Sequence, residues 1–345
     1  MSEPHALTVA EVIEETSDAR SVVFEVTAEQ EEAFRYRPGQ FLTLRAGAVA
    51  RCYSLSSAPH EGSRLKVTVK RTDGGYGSNW ICDNLRAGAK VEVLPPAGVF
   101  GPRSFDEDLL LFAAGSGITP VVSIVKAALR EGSGRIVLVY ANRDERSVIF
   151  ADELAVLARD HADRLLIVHW LETVQGLPGV AQLRALAEPF ASFEAFLCGP
   201  APFMAAAKQA LEELGFPRRR VHLEKFVSLG GNPFETAAAP APAGETPVAP
   251  VPSGETSTVR VNLDGEEREF SWPRQQKLLD LLLAKGLDAP YSCREGQCSA
   301  CACRIVSGEV KMLNNEVLDS EDIAEGIVLA CQSLPLTDEV SVSYE

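Results

Sequence analysis

Short runs in which apolar or β-branched residues alternate with polar ones fill the first hundred positions: LTVAEVI, SVVFEV, FLTLRA, CYSLSS, LKVTVK and KVEVLPP. Glycine and proline punctuate them, and this period-two pattern predicts the short strands of an all-β barrel or sandwich. From about Asp106 the pattern changes. DLLLFAAG, RIVLVYANR, RLLIVHWL, FEAFLCG and RVHLEKF are apolar runs of strand length, and VVSIVKAALR, ADELAVLARD and PFMAAAKQALEELG lie between them with helical character. That alternation predicts a parallel sheet with helices on its faces. A third pattern follows: TVRVNLDG and EEREFSW as a hairpin, KLLDLLLAKG as a helix, ACRIVSGEV and VSVSYE as strands. Before it stands TAAAPAPAGETPVAPVPSGET, 236–256, more than half Ala and Pro, a composition that makes a semi-rigid tether. The predicted division is therefore 1–104, 105–235, a linker at 236–256, and 257–345.

Composition narrows the class of function. The chain has 345 residues, is 46% hydrophobic and 23% charged, and carries a net charge of −15, which argues against nucleic acid or an anionic membrane as partner. The region from Thr256 onward holds 16 acidic against 8 basic residues. This acidity suits either a solvated surface or a face that steers encounter with a basic partner protein. The first residues, MSEPHALT, lack an apolar signal core, and no run reaches the roughly 18 apolar residues of a membrane span. A cytoplasmic protein is expected.

Four of the eight cysteines crowd into CREGQCSACAC. Cytosolic chains rarely form disulfides, so metal ligation is the better reading. Cys293, Cys298 and Cys301 are spaced C-x4-C-x2-C, and Cys331 follows after 29 further residues. Zinc usually takes paired C-x2-C or Cys/His sets, and no histidine follows His222. The loop residues between the cysteines are small or polar, so the backbone can close around a cluster and aim N–H groups at it. Cys303 stands outside the spacing and reads as a packed strand residue.

Further motifs sit at strand ends. RCYS carries Arg51 and Tyr53 on one face of a strand and Ser54 on the other. GGYGS, with Gly75, Gly77 and Ser78, runs into a helix expected to begin near Ser78. Its free N–H groups suit a diphosphate, although Gly74-Gly75 also fits a plain hairpin turn. Lys70 just upstream could neutralise phosphate or face water. AGSGITPV follows a buried strand, with Gly115, Gly117, Thr119 as expected N-cap and Pro120 as first helical residue. Asn142, Arg143, Arg146 and Ser147 end the next strand, and Cys198 opens CGPAPFM at another strand end.

Together YRPGQFLTLR, RCYSLSS and GGYGSNWI resemble the ferredoxin-NADP reductase superfamily, and the cysteine spacing resembles the plant-type 2Fe-2S ferredoxins. The resemblance implies a multidomain chain: a flavin-binding β-barrel, an α/β nicotinamide-binding domain with a parallel sheet, and a β-grasp ferredoxin domain. It implies FAD, NADH and a 2Fe-2S cluster as cofactors, with NADPH left open, since Arg143 could pair with a 2′-phosphate and no clear acidic residue ends its strand. Arg51 would take the pyrophosphate, Tyr53 the flavin ring, and Ser54 the reactive flavin nitrogen. Gly115, Gly117, Thr119 and Pro120 would receive the dinucleotide, Asn142 and Arg143 its adenosine side. Cys198 and Glu224, with Phe226 where some branches have tyrosine, would complete the nicotinamide site. Cys293, Cys298, Cys301 and Cys331 would hold the cluster. Such chains take a hydride from NAD(P)H, hold the pair on flavin and pass single electrons outward, here to an oxygenase protein. Longer stretches such as HWLETVQGLPG look most like the reductase branch serving 3-ketosteroid 9α-hydroxylase, with that of phenylacetyl-CoA epoxidase as the competing branch. A redox-sensing flavoprotein is a third reading, and steady NADH turnover would separate it from the other two.

Overall fold

The computed structural model describes residues 4–234, 256–263 and 265–344. Of the stretch read as a linker, only Thr256 is among them.

The alternating runs of the first hundred residues form β1 (His5–Thr16), β2 (Ala19–Glu25), β3 (Phe41–Ala46), β4 (Val49–Ser54) and β5 (Arg64–Lys70), followed by α1 (Tyr76–Asn84) and β6 (Lys90–Ala97). The strands pair antiparallel in the order β4-β3-β6-β1-β2-β5. A bridge between Leu55 and Val67 joins the two ends, so the sheet closes on itself. The inward positions Leu7, Val22, Phe24, Leu42, Leu44, Val67 and Val93 fill the interior at no more than 1% exposure, which is what the alternation demands.

The second sheet is built from β7 (Leu109–Ala114), α2 (Ile118–Glu131), β8 (Ile136–Asn142), α3 (Ala151–Asp160), β9 (Leu165–Leu171), α4 (Glu172–Gln175), α5 (Val180–Ala187), β10 (Glu194–Cys198), α6 (Ala201–Glu213) and β11 (Val221–Glu224). All neighbours are parallel, in the order β11-β10-β7-β8-β9. Every residue of β7 and of β8 is buried, the signature of central strands covered on both faces. The chain moves outward from β7 through β8 and β9, then returns to the other side of β7 as β10. This reversal opens a crevice beyond the C-terminal ends of β7 and β10, where ligands of open α/β sheets bind.

Helix α2 starts earlier than its sequence suggests. A single 3-10 turn, Gly115–Gly117, runs directly into it, so Gly117 and not Thr119 occupies the cap. The Thr119 hydroxyl donates to the Ser116 carbonyl at 3.0 Å, and Pro120 lies within the first turn, where its missing N–H costs nothing. Likewise α1 begins at Tyr76 with Gly75 as cap, two residues before the expected start.

Sheet and barrel meet along α2. Ser123 Oγ donates to the Ser57 carbonyl at 2.6 Å, and Lys126, only 5% exposed, sits 2.9 Å from Glu61 and 3.0 Å from Glu153. Lys66 pairs with Glu153 from the barrel side at 3.0 Å. A buried ammonium shared by two carboxylates costs desolvation and permits little slippage, so it serves registration of the two units more than net stability.

The terminal segment folds as β12 (Thr256–Leu263), β13 (Glu266–Pro273), α7 (Leu278–Ala284), β14 (Ala302–Ser307), β15 (Val310–Met312), α8 (Ser320–Ala324), β16 (Ile327–Leu329), β17 (Ser333–Pro335) and β18 (Glu339–Ser343). The larger sheet has the order β13-β12-β18-β14-β16, with β12 and β18 parallel, while β15 and β17 form a separate pair. Leu278, Leu279, Leu281 and Leu282 of α7 pack on Val259, Val261 and Trp272. Among the described residues no helix is long and apolar enough to cross a membrane.

Candidate redox site

The cysteine loop is shaped by backbone conformations that side chains normally avoid. Gly296 has φ +80°, and a Cβ there would lie 2.7 Å from the Asn314 carbonyl oxygen, so only glycine fits. Arg294 and Ser299 also take positive φ, at 59° and 53°. These turns fold the loop inward and point amides at sulfur. The Glu295 and Gln297 N–H groups donate to Cys293 Sγ at 3.3 Å, the Cys293 N–H to Cys298 Sγ at 3.3 Å, and the Cys331 N–H to Cys301 Sγ at 3.5 Å. All four thiols are buried, at 8% exposure or less. Cys298 and Cys331 hydrogen-bond to Cys293, and this sharing lowers the Cys293 thiol while raising theirs, as happens when thiols crowd one another. The four thiols neighbour one another in space, Cys298 with Cys293, Cys293 with Cys331, and Cys331 with Cys301. Four buried sulfurs with N–H donors already aimed at them are a donor set that fits a 2Fe-2S cluster. Cys303 lies apart on β14, 3% exposed, its thiol pushed up by burial.

On the barrel, β4 carries Arg51, Tyr53 and Ser54. A Cβ on Gly77 would come within 2.8 Å of Arg51 Cγ, so this glycine lets the arginine run alongside the first turn of α1. A guanidinium beside a helix N-terminus suits a diphosphate. The Ser78 hydroxyl accepts from the Thr72 N–H at 3.0 Å, which fixes the turn before the helix. Gly74 holds the left-handed φ of +67°, and Gly75 is extended. Tyr53 is half-buried and Ser54 3% exposed.

The crevice of the second sheet gathers its motifs. A Cβ on Gly117 would lie 2.1 Å from the Cys198 carbonyl oxygen, so the turns after β7 and β10 touch backbone to backbone. Lys70 of the barrel reaches to 3.7 Å from the Cβ position of Gly115 and pairs with Asp18 at 3.7 Å. Asn142 at the end of β8 is 7% exposed, yet neither its amide oxygen nor its nitrogen has a hydrogen-bond partner. Polar atoms orphaned at this depth cost free energy unless something pairs with them, as a dinucleotide would. Arg143 is 61% exposed and lies 3.8 Å from Asp18 and 3.6 Å from Asp144. Arg146 is exposed on the short turn that follows, while Ser147 is buried and shares a reciprocal pair of hydrogen bonds with Asp144.

Cys198 and Glu224 are register partners on β10 and β11. Cys198 is fully buried, and burial raises its thiol well above the ordinary value. Glu224 keeps an opening to one cavity, but protein surrounds it otherwise and pushes its carboxyl up to about 8. That cavity is lined by Ser54 and Cys52 of the barrel, Glu224 and Phe226 of the second sheet, and Gln297 and Cys298 of the cysteine loop. Phe226 is 49% exposed at its rim.

Sequence reasoning missed the residues that bring the cysteine loop here. Thr43 Oγ1 and Ser292 Oγ hydrogen-bond at 2.5 Å, and Cys52 lies 3.4 Å from the same Thr43 oxygen. Gly230 and Gly231 donate their N–H groups to Gln297 and Glu295, each at 2.8 Å. Phe41, Ala50, Leu94 and Ala97 of the barrel pack with Cys293, Cys298 and Ala300 in one apolar cluster. Ser292, Gly230 and Gly231 belong to no motif, and nothing local in the quoted stretches marks Thr43 or Phe41 as a contact of the cysteine loop.

Residues 6–101 match an oxidoreductase FAD-binding domain, 111–209 an oxidoreductase NAD-binding domain, and 261–336 a 2Fe-2S iron-sulfur cluster binding domain. The chain is 57% identical to the ferredoxin reductase component of 3-ketosteroid-9-alpha-monooxygenase from Rhodococcus rhodochrous, over 98% of this chain and 96% of the relative. It is 36% identical to a 1,2-phenylacetyl-CoA epoxidase component from Escherichia coli (strain K12), over 99% and 98%. Among solved structures, phthalate dioxygenase reductase matches the fold at a TM-score of 0.59 and 22% identity, covering 99% of this chain and 98% of that one. With a flavin barrel, a nicotinamide sheet and a cysteine loop joined around one cavity, the chain belongs to the family of 3-ketosteroid-9-alpha-monooxygenase ferredoxin reductase components.

Proposed function

We propose that this protein takes electrons from NADH and delivers them, through FAD and a 2Fe-2S cluster, to the oxygenase component of a 3-ketosteroid 9α-hydroxylase, a Rieske protein of steroid catabolism. The observation that carries this reading is a juxtaposition: around one small cavity of about 20 Å³, Cys298 lies beside Ser54 and Glu224, the residues assigned to hydride transfer. Identity favours the steroid branch over the epoxidase branch, 57% against 36% at nearly full length. When bound, FAD supplies the conversion of a two-electron hydride into the single electrons a 2Fe-2S cluster accepts.

The chain's own residues bind and align. Arg51 and the N-terminus of α1 would hold the diphosphate of FAD, with Tyr53 and Ser54 serving its ring system. Gly115, Gly117, Thr119 and Pro120 would shape the turn that receives the nicotinamide dinucleotide, with Lys70 near it on the barrel side. Asn142 and Arg143 would take the adenosine side. Cys198, Glu224 and Phe226 would orient the nicotinamide ring. Hydride transfer needs this alignment more than it needs acid–base chemistry. Anaerobic titration with NADH and, separately, NADPH, followed by visible absorption, tests the whole reading. Flavin and cluster bands that bleach together with NADH support it. A flavin that bleaches without any cluster signal in iron-replete protein overturns the outlet, and a clear preference for NADPH overturns the coenzyme and the branch.

Glu224 makes a separate prediction. Its folded value of about 8 lies above the ordinary 4.5, so at neutral pH the carboxyl is protonated and can donate a hydrogen bond. Flavin reduction by NADH is expected to slow as pH rises through about 8, and Glu224→Gln should flatten that limb. The same shift means that its contribution to stability is complete below pH 4.5 and is lost as pH rises to about 8. A stopped-flow pH profile that falls identically in the glutamine variant would assign the titration to another group.

A further inference from the structure

The terminal domain is also tied to the nicotinamide-binding unit, by charges that the electron path does not use. Lys208 of α6 lies 2.8 Å from Glu321 and 3.3 Å from Asp319. Arg218, in the turn before β11, lies 2.7 Å from Asp322 and 3.1 Å from Glu321. Lys225, the residue after Glu224, donates to the Val317 carbonyl at 2.8 Å. One acidic turn thus grips the helix that starts at the Cys198 turn and the strand that ends at Glu224.

Isolated surface pairs contribute about 0–1 kcal/mol each and would hold little. Here two cations meet three carboxylates, and the turn is ordered beforehand. Asp319 accepts from the Glu321 and Asp322 N–H groups, and Asp322 accepts from the Asp319 N–H at 3.0 Å. Fewer rotamers are lost on docking, and the covalent connection to the preceding domain keeps the partners at high effective concentration. The charged side chains keep 23–47% exposure, so dissolved ions reach them. In this arrangement Cys293 and Cys298 are 4% and 8% exposed, while Arg294 between them faces solvent.

We propose that Asp319, Glu321 and Asp322 form a charge latch on Lys208 and Arg218 that adds to the hydrogen bonds and apolar contacts holding the cysteine loop at the cavity, and that salt loosens. The functional half of this inference rests on the cavity being the electron path. The structural half does not.

The test uses the purified holoprotein at about 0.05 and about 1 M salt, where the Debye length falls from more than about 10 Å to about 3 Å. Small-angle scattering and hydrogen exchange of the amides at 292–298 report the latch directly. Wild type should be compact and protected at low salt, expanded and faster-exchanging at high salt. Lys208→Glu/Arg218→Glu should behave at low salt as wild type does at high salt, and adding Glu321→Lys, which leaves the Asp319–Asp322 cap intact, should restore part of the compaction. After rapid mixing with NADH, the double variant should reduce its flavin at the wild-type rate and its cluster about 5- to 10-fold more slowly, as for a lost network of partly exposed pairs. Scattering and exchange that are indifferent to salt and to charge reversal overturn the latch. An opened molecule with an unaltered rate of cluster reduction leaves the latch standing and overturns the cavity as the electron path.

Discussion

Replacing Cys298 with serine is expected to abolish reduction of cytochrome c while sparing direct transfer from flavin to ferricyanide. Cys298 is one of four buried sulfurs, it accepts the Cys293 N–H, and it is the one that lines the cavity beside Ser54 and Glu224. Loss of a supporting partner around a metal site typically costs 10–100-fold in affinity or activity, so loss of a ligand should cost on the order of 100-fold or more in one-electron output. The flavin absorbance of the variant reports whether the barrel is intact. Its thiols lie in a domain whose own core, Trp272 against the leucines of α7, does not depend on Cys298. Equal loss of cytochrome c and ferricyanide reduction would sink the assigned electron order.

Gly117→Ala should separate the other end of the path. Its new methyl would sit 2.1 Å from the Cys198 carbonyl oxygen and 2.7 Å from the Gly199 nitrogen, both backbone atoms that no rotamer change can move aside. The turns after β7 and β10 must part, and a misplacement of about 1 Å at a reacting centre can cost about 100-fold in rate. Flavin reduction by NADH is expected to fall by about that factor, with FAD content unchanged and with dithionite still reducing flavin and cluster. The decisive comparison is stopped-flow reduction by NADH against reduction by dithionite. If NADH reduction stays within a few fold of wild type, the crevice between β7 and β10 is not where the nicotinamide binds.

The C-x4-C-x2-C spacing, the runs LLLFAA and IVLVYAN, and the alternation of the barrel strands are local patterns, and local patterns survive in the sequence because a strand or a loop reads its neighbours. They are enough to expect a barrel, a parallel sheet and a ferredoxin-like unit, and to place Gly115, Gly117 and Cys198 at strand ends. Local reading errs where two local devices compete. Thr119 has the chemistry of an N-cap, but the tight turn at Gly115–Gly117 already starts the helix, so the threonine hydroxyl serves the Ser116 carbonyl instead. Ser78 likewise has the chemistry of a helix start, yet Gly75 needs no side chain to cap and the helix begins at Tyr76.

What joins the units is not written locally. Thr43 and Ser292 are 249 residues apart and look like ordinary strand and loop hydroxyls. Nothing in the local pattern sets Lys208 and Arg218 apart from other surface charges, or Glu321 from the other acids of its region. Periodicity and spacing determine which element forms and which face it buries, because those depend on neighbours within a few residues. Which buried or charged face meets which other is decided by complementary shape and charge across the whole chain. Only the tertiary structure therefore sets Cys298 beside Ser54 and Glu224 in one cavity.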